Sequence, residues 1–92
     1  MTPLERKTLI EQRLTMALAP LHLEVLDESH LHIGHEGAKT GASHFSVVIV
    51  SAKFATLPLI KRHQLIYQQL GDLIPKEIHA LKIKAKTPEE GV

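Results

Sequence analysis

The sequence predicts an α+β fold, a two-layer sandwich in which two helices cover one face of a three-stranded mixed sheet. Two segments carry apolar residues at helical spacing, and three shorter segments carry the alternating or β-branched apolar residues typical of strands. They occur in the order α-β-β-α-β. Because 92 residues suffice for one small core, the prediction is a single domain, residues 1–92.

The first helix is predicted to begin just after Thr2. The stretch Thr2-Pro3-Leu4-Glu5 has the form of a capping box with proline at the first helical position. Apolar residues then recur at helical spacing, namely Ile10, Leu14, Ala17 and Leu18. Pro20 predicts the end of this helix, since the residue before a proline disfavours helical backbone.

Two strands are predicted to follow the first helix. Leu23 and Val25 alternate with polar residues, which is typical of a half-buried strand that runs to about Leu26. Residues 45–50 are mostly β-branched and apolar on both faces, which predicts an interior strand. The long loop between them, residues 27–42, favours an antiparallel pair with an elaborated connection over a tight hairpin.

A second amphipathic helix is predicted from Leu59 to near Pro75. Its expected apolar stripe consists of Leu59/Ile60, His63, Ile66/Tyr67, Leu70 and Leu73/Ile74. The helix would connect two parallel strands as a right-handed crossover, because such connections are almost always right-handed. Both helices are then expected on the same face of the sheet.

The last predicted strand is Ile78–Ala85. Leu81, Ile83 and Ala85 alternate with two lysines, and the same alternation places His79 on the side of Leu81 and Ile83. The remaining residues, 86–92, contain proline, glycine and two glutamates and are expected to form a flexible tail.

Composition excludes several kinds of function. The chain has no cysteine, so alone it can form neither a disulfide nor an all-thiolate zinc or iron–sulfur site, and it has no thiol nucleophile. Its net charge of +1 is low for a dedicated nucleic-acid binder. No apolar run is long enough for a membrane helix, and the first residues lack the apolar region of a secretory signal, so the expected location is cytoplasmic.

Histidines are the candidate metal ligands. Four of the seven lie within residues 29–45, among them His30, His32 and His35, in a glycine-bearing segment without a rigid metal-binding motif. The residues alone therefore favour a polar surface loop over a self-contained zinc site. His79 is either a structural histidine or, if the loop approaches it, one of two imidazoles that converge on a metal. No motif for a catalytic nucleophile is present, so we expect no enzyme.

Lys61, Arg62 and His63 form a basic cluster on the predicted second helix. A solvated helix face is the simpler interpretation, and a nucleic-acid surface is the alternative. The chain offers no aromatic platform on which bases could stack, because Tyr67 and the two phenylalanines are expected in the core.

Several segments together resemble the BolA family across nearly the whole chain. They are LEVLDESHLH, SHFSVVIVSAKF, IKRHQLIYQQLGDLI and IHALKIKAKTPEE, and their order and spacing are compatible with that family. The most specific pieces are Ser43-His44-Phe45, Arg62-His63 and Ile78-His79-Ala80-Leu81. The family's fold, a class II KH-like topology, agrees with the α-β-β-α-β order.

The resemblance implies a function in iron–sulfur chemistry. BolA-like proteins pair with monothiol glutaredoxins, and the pair can hold a [2Fe–2S] cluster for which the glutaredoxin and glutathione supply thiolates. The BolA-like chain supplies imidazole, and substitution of histidine for cysteine raises the reduction potential. The family's C-terminal ligand falls on His79, and its loop ligand falls on His32, with His35 as the alternative because this loop carries extra histidines. No cofactor is expected in the isolated chain, which could be a monomer or a weak dimer.

The resemblance also implies an alternative function, because some family members are described as DNA-binding regulators that use the KH-like face and the second helix. The sequence keeps Arg62 and His63 but has Gln64 where many relatives have another basic residue. The GxxG loop of KH modules is absent as well. A non-enzymatic partner of a monothiol glutaredoxin is therefore the first hypothesis, and a nucleic-acid-binding regulator that uses Lys61, Arg62 and His63 is the second.

Overall fold

The computed structural model describes residues 1–29 and 43–91. Two helices and three strands follow one another as α1 (Pro3–Leu18), β1 (His22–Asp27), β2 (Ser43–Val50), α2 (Leu59–Leu70) and β3 (Ile78–Lys86). Single turns of 3₁₀ helix occupy Ala52–Phe54, Gly71–Leu73 and Pro88–Glu90. The predicted order and the predicted α+β sandwich are confirmed.

Helix α1 begins at the predicted capping box. The Thr2 hydroxyl accepts a hydrogen bond from the Glu5 N–H at 3.1 Å, and the Glu5 carboxylate accepts one from the Thr2 N–H at 2.8 Å. The hydrogen bond from the Thr2 N–H lowers the pKa of Glu5. The helix ends at Leu18 and is capped by Ala19, which has left-handed backbone angles (φ 43°), and Pro20 follows.

The sheet has the strand order β1-β2-β3, with β1 antiparallel to β2 and β2 parallel to β3. Strand β2 is central, as its apolar sequence predicts. Its residues Phe45, Val47 and Ile49 are buried against the helices. The residues that alternate with them, His44, Ser46 and Val48, are half-buried. Helices α1 and α2 both pack on the side of the buried residues and contact each other.

The core joins both helices to one face of the sheet. Its buried members are Ile10, Leu14, Leu18, Val25, Phe45, Val47, Ile49, Phe54, Ile66, Leu70, Leu73, Ile78 and Ala85. No helix within residues 1–29 and 43–91 combines the length and the apolar character that crossing a membrane requires.

The buried stripe of α2 differs from the predicted one. Arg62, Ile66 and Leu70 face the interior, whereas Leu59 and Tyr67, expected in the stripe, are exposed. The spacing of apolar residues does not predict this arrangement, because a charged residue such as Arg62 is expected to face solvent. The helix is therefore rotated about its own axis relative to the prediction, and this rotation buries Arg62.

The C-terminal residues are also ordered differently from the predicted flexible tail. Thr87 is buried, and a second capping box links its hydroxyl to the Glu90 N–H and the Glu90 carboxylate to the Thr87 N–H. The Glu90 carboxylate also pairs with Arg62. We call Thr87–Gly91 the C-terminal strap, because it lies across the interior arginine of α2.

Candidate functional site

A β-bulge interrupts the start of strand β3. Ser43 of β2 pairs with Ile78, but the next residue, His44, pairs with Ala80, so His79 is an extra residue without a partner on β2. We call Ile78–Ala80 the His79 bulge. Bulges locally break the alternation of a strand and redirect a side chain, and they are common next to functional sites.

The bulge determines where the His79 side chain lies. Ile78 is fully buried and Leu81 is half-buried against the core, whereas His79 and Ala80 between them are both exposed. Simple alternation predicted His79 on the side of Leu81 and Ile83, and the structure corrects this prediction. The extra residue shifts the alternation by one position, which carries the imidazole out of the core.

The His79 imidazole lies beside a second histidine ring. Its centroid is 5.0 Å from that of His44, and the two ring planes are tilted by 42°. Within residues 1–29 and 43–91, His79 forms no side-chain hydrogen bond or ion pair. An exposed imidazole without such commitments can offer a ring nitrogen to a metal or a partner.

Both ends of the segment 30–42 are held next to this bulge. The Ser29 hydroxyl accepts a hydrogen bond from the His44 N–H at 3.2 Å, and the His44 carbonyl accepts one from the Glu28 N–H at 2.8 Å. The Asp27 carboxylate accepts a further bond from the Ser29 N–H. The predicted ligands His32 and His35 lie outside the described residues, but the chain enters and leaves their segment at the bulge.

A small cavity adjoins the site on the sheet face opposite the helices. It has a volume of about 160 Å³ and is lined by Glu28, His44, Phe45, Ala80 and Lys82. The Lys82 ammonium lies 3.0 Å from the Glu28 carboxylate. This ion pair joins β3 to the chain just beyond β1, on the side of the sheet where His44 lies.

Among residues 1–29 and 43–91, no group of three or more histidine and acidic residues could hold a metal ion. The described part of the chain therefore offers His79 as an exposed imidazole but holds no complete metal site. A single imidazole fits a metal centre whose other ligands come from elsewhere, such as a cluster shared with a thiolate-bearing partner.

The basic cluster of α2 is not a uniform surface patch. Lys61 is exposed and His63 is half-buried, but Arg62 is only 6% exposed. The Arg62 guanidinium donates to the Leu57 carbonyl at 2.8 Å, the Ala85 carbonyl at 3.1 Å and both oxygens of Glu90 at 2.6 and 3.1 Å. Arg62 is therefore committed to the fold, which removes it from the predicted nucleic-acid contacts.

The ion pair with Arg62 also changes the titration of its partner. Hydrogen bonds from the Arg62 guanidinium, together with that from the Thr87 N–H, lower the pKa of Glu90 from 4.5 to about 2. The hydrogen bonds to the Glu90 carboxylate raise the pKa of Arg62. Sequence reasoning missed this pair, although the Thr87-x-x-Glu90 spacing of a capping box was a visible signal.

Known proteins resemble this chain over most of its length. A family described as BolA-like protein matches residues 14–90. The BolA domain of SufE1 from Arabidopsis thaliana superimposes with a TM-score of 0.82 and 45% sequence identity, covering 92% of this chain and 94% of that domain.

Two sequence relatives differ in how much of them the chain covers. The DNA-binding transcriptional regulator BolA of Haemophilus influenzae is 43% identical over 82 residues, which span 89% of this chain and 77% of that protein. The SufE-like protein 1, chloroplastic/mitochondrial, of Arabidopsis thaliana is 43% identical over 86 residues, which are 88% of this chain but only 23% of the relative. With the family match over residues 14–90 and the shared fold, this chain belongs to the BolA-like family.

Proposed function

We propose that this BolA-like chain is a non-enzymatic partner of a monothiol glutaredoxin and shares a [2Fe–2S] cluster with it through histidine, in iron–sulfur cluster trafficking or iron-linked regulation. The observation that supports the proposal most strongly is the His79 bulge. It directs an uncommitted imidazole away from the core at the position that corresponds to the family's C-terminal ligand.

The ligand set of such a cluster is divided between the two proteins. This chain has no cysteine, so thiolates must come from the glutaredoxin and from glutathione. When bound, the cluster would supply one-electron redox chemistry, and histidine ligation raises its potential relative to an all-thiolate site. His79 would contribute one imidazole from the start of β3.

A second imidazole would come from the segment 30–42. His32 is three residues from Ser29 and His35 is six residues from it, so their Cα atoms can lie at most about 11 Å and about 21 Å from that of Ser29. Because Ser29 is hydrogen-bonded to His44 at the bulge, the chain can bring either imidazole towards His79. His32 is the first choice because it corresponds to the family position, and His35 is the alternative.

The proposal is tested by mixing the chain with a monothiol glutaredoxin, glutathione, iron and sulfide under anaerobic conditions. We expect the absorption and circular dichroism spectra of the mixture to differ from those of the cluster-bearing glutaredoxin alone. His79→Ala should abolish the difference. His22→Ala is the matched control, because His22 pairs with Val50 at the opposite end of the sheet. A mixed spectrum that His79→Ala leaves unchanged would refute the ligand assignment.

The loop ligand is assigned by two further variants in the same mixture. His32→Ala should alter the mixed spectrum, whereas His35→Ala should leave it intact if His32 is the ligand. The reverse result would assign His35. If neither substitution has an effect, the second ligand lies elsewhere in the complex.

A nucleic-acid-binding regulator remains the second candidate, because relatives bear the name DNA-binding transcriptional regulator BolA. Lys61 is the exposed member of the basic cluster and can be reversed in charge without disturbing the core. If DNA binding is the function, affinity should fall steeply with salt, and Lys61→Glu should weaken it. If cluster sharing is the function, Lys61→Glu should leave the mixed spectrum unchanged.

The predicted cytoplasmic location is a separate proposal that fractionation of cells would test.

A further inference from the structure

Arg6 joins helix α1 to the two strand ends at the His79 bulge. Its Nε donates a hydrogen bond to the Glu77 carboxylate at 2.9 Å, and its Nη1 donates one to the Ser43 hydroxyl at 2.9 Å. The arginine side chain is 13% exposed and Ser43 is 2% exposed. One partly buried guanidinium thus holds residues that are 37 and 71 positions away along the chain.

The two acceptors flank the bulge. Ser43 pairs with Ile78, the residue immediately before His79, and Glu77 precedes His79 by two positions. Arg6 therefore contacts the first residue of β2 and the residue just before β3, at the point where the pairing of the two strands is interrupted.

The His79 bulge has fewer backbone hydrogen bonds to a neighbouring strand than the regular part of the sheet. Strand β3 begins at Ile78, so within residues 43–91 no ladder bond precedes the bulge on that strand. A bulge also weakens the ladder on its other side, because its extra residue is unpaired. A charge-assisted pair of hydrogen bonds from a helix compensates for both losses, since such bonds are stronger than neutral ones.

We propose that Arg6 is a positioning residue that fixes the His79 bulge, so that the His79 imidazole is presented in one orientation to the partner-held cluster. The inference rests on the proposed function for its purpose, but the part that concerns the bulge can be measured in the isolated chain. In this proposal Arg6 acts through Ser43 and Glu77 and is not itself a cluster ligand.

The chain contains a matched control on the same helix. Arg13 lies seven residues after Arg6 and donates to the Gln69 carbonyl and to both oxygens of Asp72, which raises the pKa of Arg13 and lowers that of Asp72. Arg13 thereby ties α1 to the end of α2 and not to the bulge. Substitution of Arg13 removes a similar ion pair while leaving the His79 neighbourhood intact.

The first arm of the test uses the isolated chain. We expect Arg6→Ala to shift the amide resonances of Ile78–Ala80 and the imidazole resonances of His79. Amide exchange at these residues should become about tenfold faster, because local opening of the bulge no longer has to break the two hydrogen bonds of Arg6. Arg13→Ala should leave both unchanged. Arg6→Lys should recover only part of the effect, since an ammonium lacks the fork that reaches two acceptors at once.

The second arm uses the mixture with glutaredoxin, glutathione and cluster. Loss of the cluster to a chelator should be about tenfold faster with Arg6→Ala, the lower end of what outer-shell substitutions cause, and unchanged with Arg13→Ala. If Arg6→Ala fails to fold, Ser43→Ala removes one of the two hydrogen bonds and should give the same pattern at reduced size.

The outcomes separate the inference from the proposed function. Equal behaviour of Arg6→Ala and Arg13→Ala in both arms overturns the role of Arg6, even if a His79-dependent mixed spectrum is obtained. If the wild-type mixture gives no such spectrum, the proposed function fails. The first arm then decides by itself whether Arg6 fixes the bulge.

Discussion

Substitution of Glu90 tests whether Arg62 is a structural residue or a surface contact. In Glu90→Gln, residue 90 can still accept a hydrogen bond but no longer titrates. The wild-type carboxylate has a pKa of about 2 in the folded chain against an ordinary 4.5, because Arg62 and the Thr87 N–H donate to it. Its stabilising contribution is therefore complete above about pH 4.5 and is lost as the pH falls towards about 2.

The size of this effect is set by proton uptake. Between these two pH values the unfolded chain binds up to one more proton at Glu90 than the folded chain does. The effect on stability stays below this limit, because the Glu90 side chain is 46% exposed and solvent screens the pair. The lowered pKa values of Glu5 and Asp72 act equally in both proteins and cancel in the difference.

The assay is urea unfolding followed by far-ultraviolet circular dichroism at a series of pH values from 2 to 6. We expect wild type to be more stable than Glu90→Gln above about pH 4.5, and the gap to close towards about pH 2. Glu89→Gln serves as the control, since Glu89 forms no ion pair in the described part of the chain. A gap of constant size across this range would refute the role assigned to the Arg62–Glu90 pair.

Two further predictions concern the fold that carries the site. Ile66→Ala should lower the free energy of unfolding by about 2–5 kcal/mol, because it opens a cavity among fully buried core residues. Tyr67→Ala, on the exposed side of α2, should lower it by less than about 1 kcal/mol. Equal losses in urea unfolding would contradict the observed orientation of the helix. Ala19→Gly should raise the melting temperature and increase the free energy of unfolding by about 0.5–1 kcal/mol, since residue 19 has a φ of 43° that glycine adopts without a Cβ clash. A lower melting temperature would show that this backbone carries no strain.

Elements that depend on local chemistry were predictable from the sequence. The Thr2–Glu5 capping box and Pro20 bracket α1 as predicted, because capping and proline act through bonds between residues close in the chain. The central position of β2 followed from its β-branched residues and from apolar side chains on both faces. The parallel pairing of β2 with β3 followed from the crossover through α2.

Features that depend on long-range partners were not predictable. No periodicity in residues 78–85 marks the bulge, because the extra residue is defined only by the partner strand, and this moved His79 to the other side of β3. Arg62 looked like a surface residue because its counter-charge, Glu90, is 28 positions away. The 5.0 Å approach of His44 to His79 likewise depends on register and not on spacing in the sequence.

Magnetic resonance of the mixed cluster would show directly whether an imidazole of this chain binds its iron. The chain is labelled with ¹⁵N-histidine, the glutaredoxin is left unlabelled, the mixed cluster is reduced, and pulsed electron paramagnetic resonance spectra are recorded. We expect a ¹⁵N hyperfine coupling of the size given by a coordinated imidazole, diminished in His79→Ala and unaffected in His22→Ala. A mixed cluster that forms without any coupling to histidine nitrogen would show that no imidazole of this chain binds the iron.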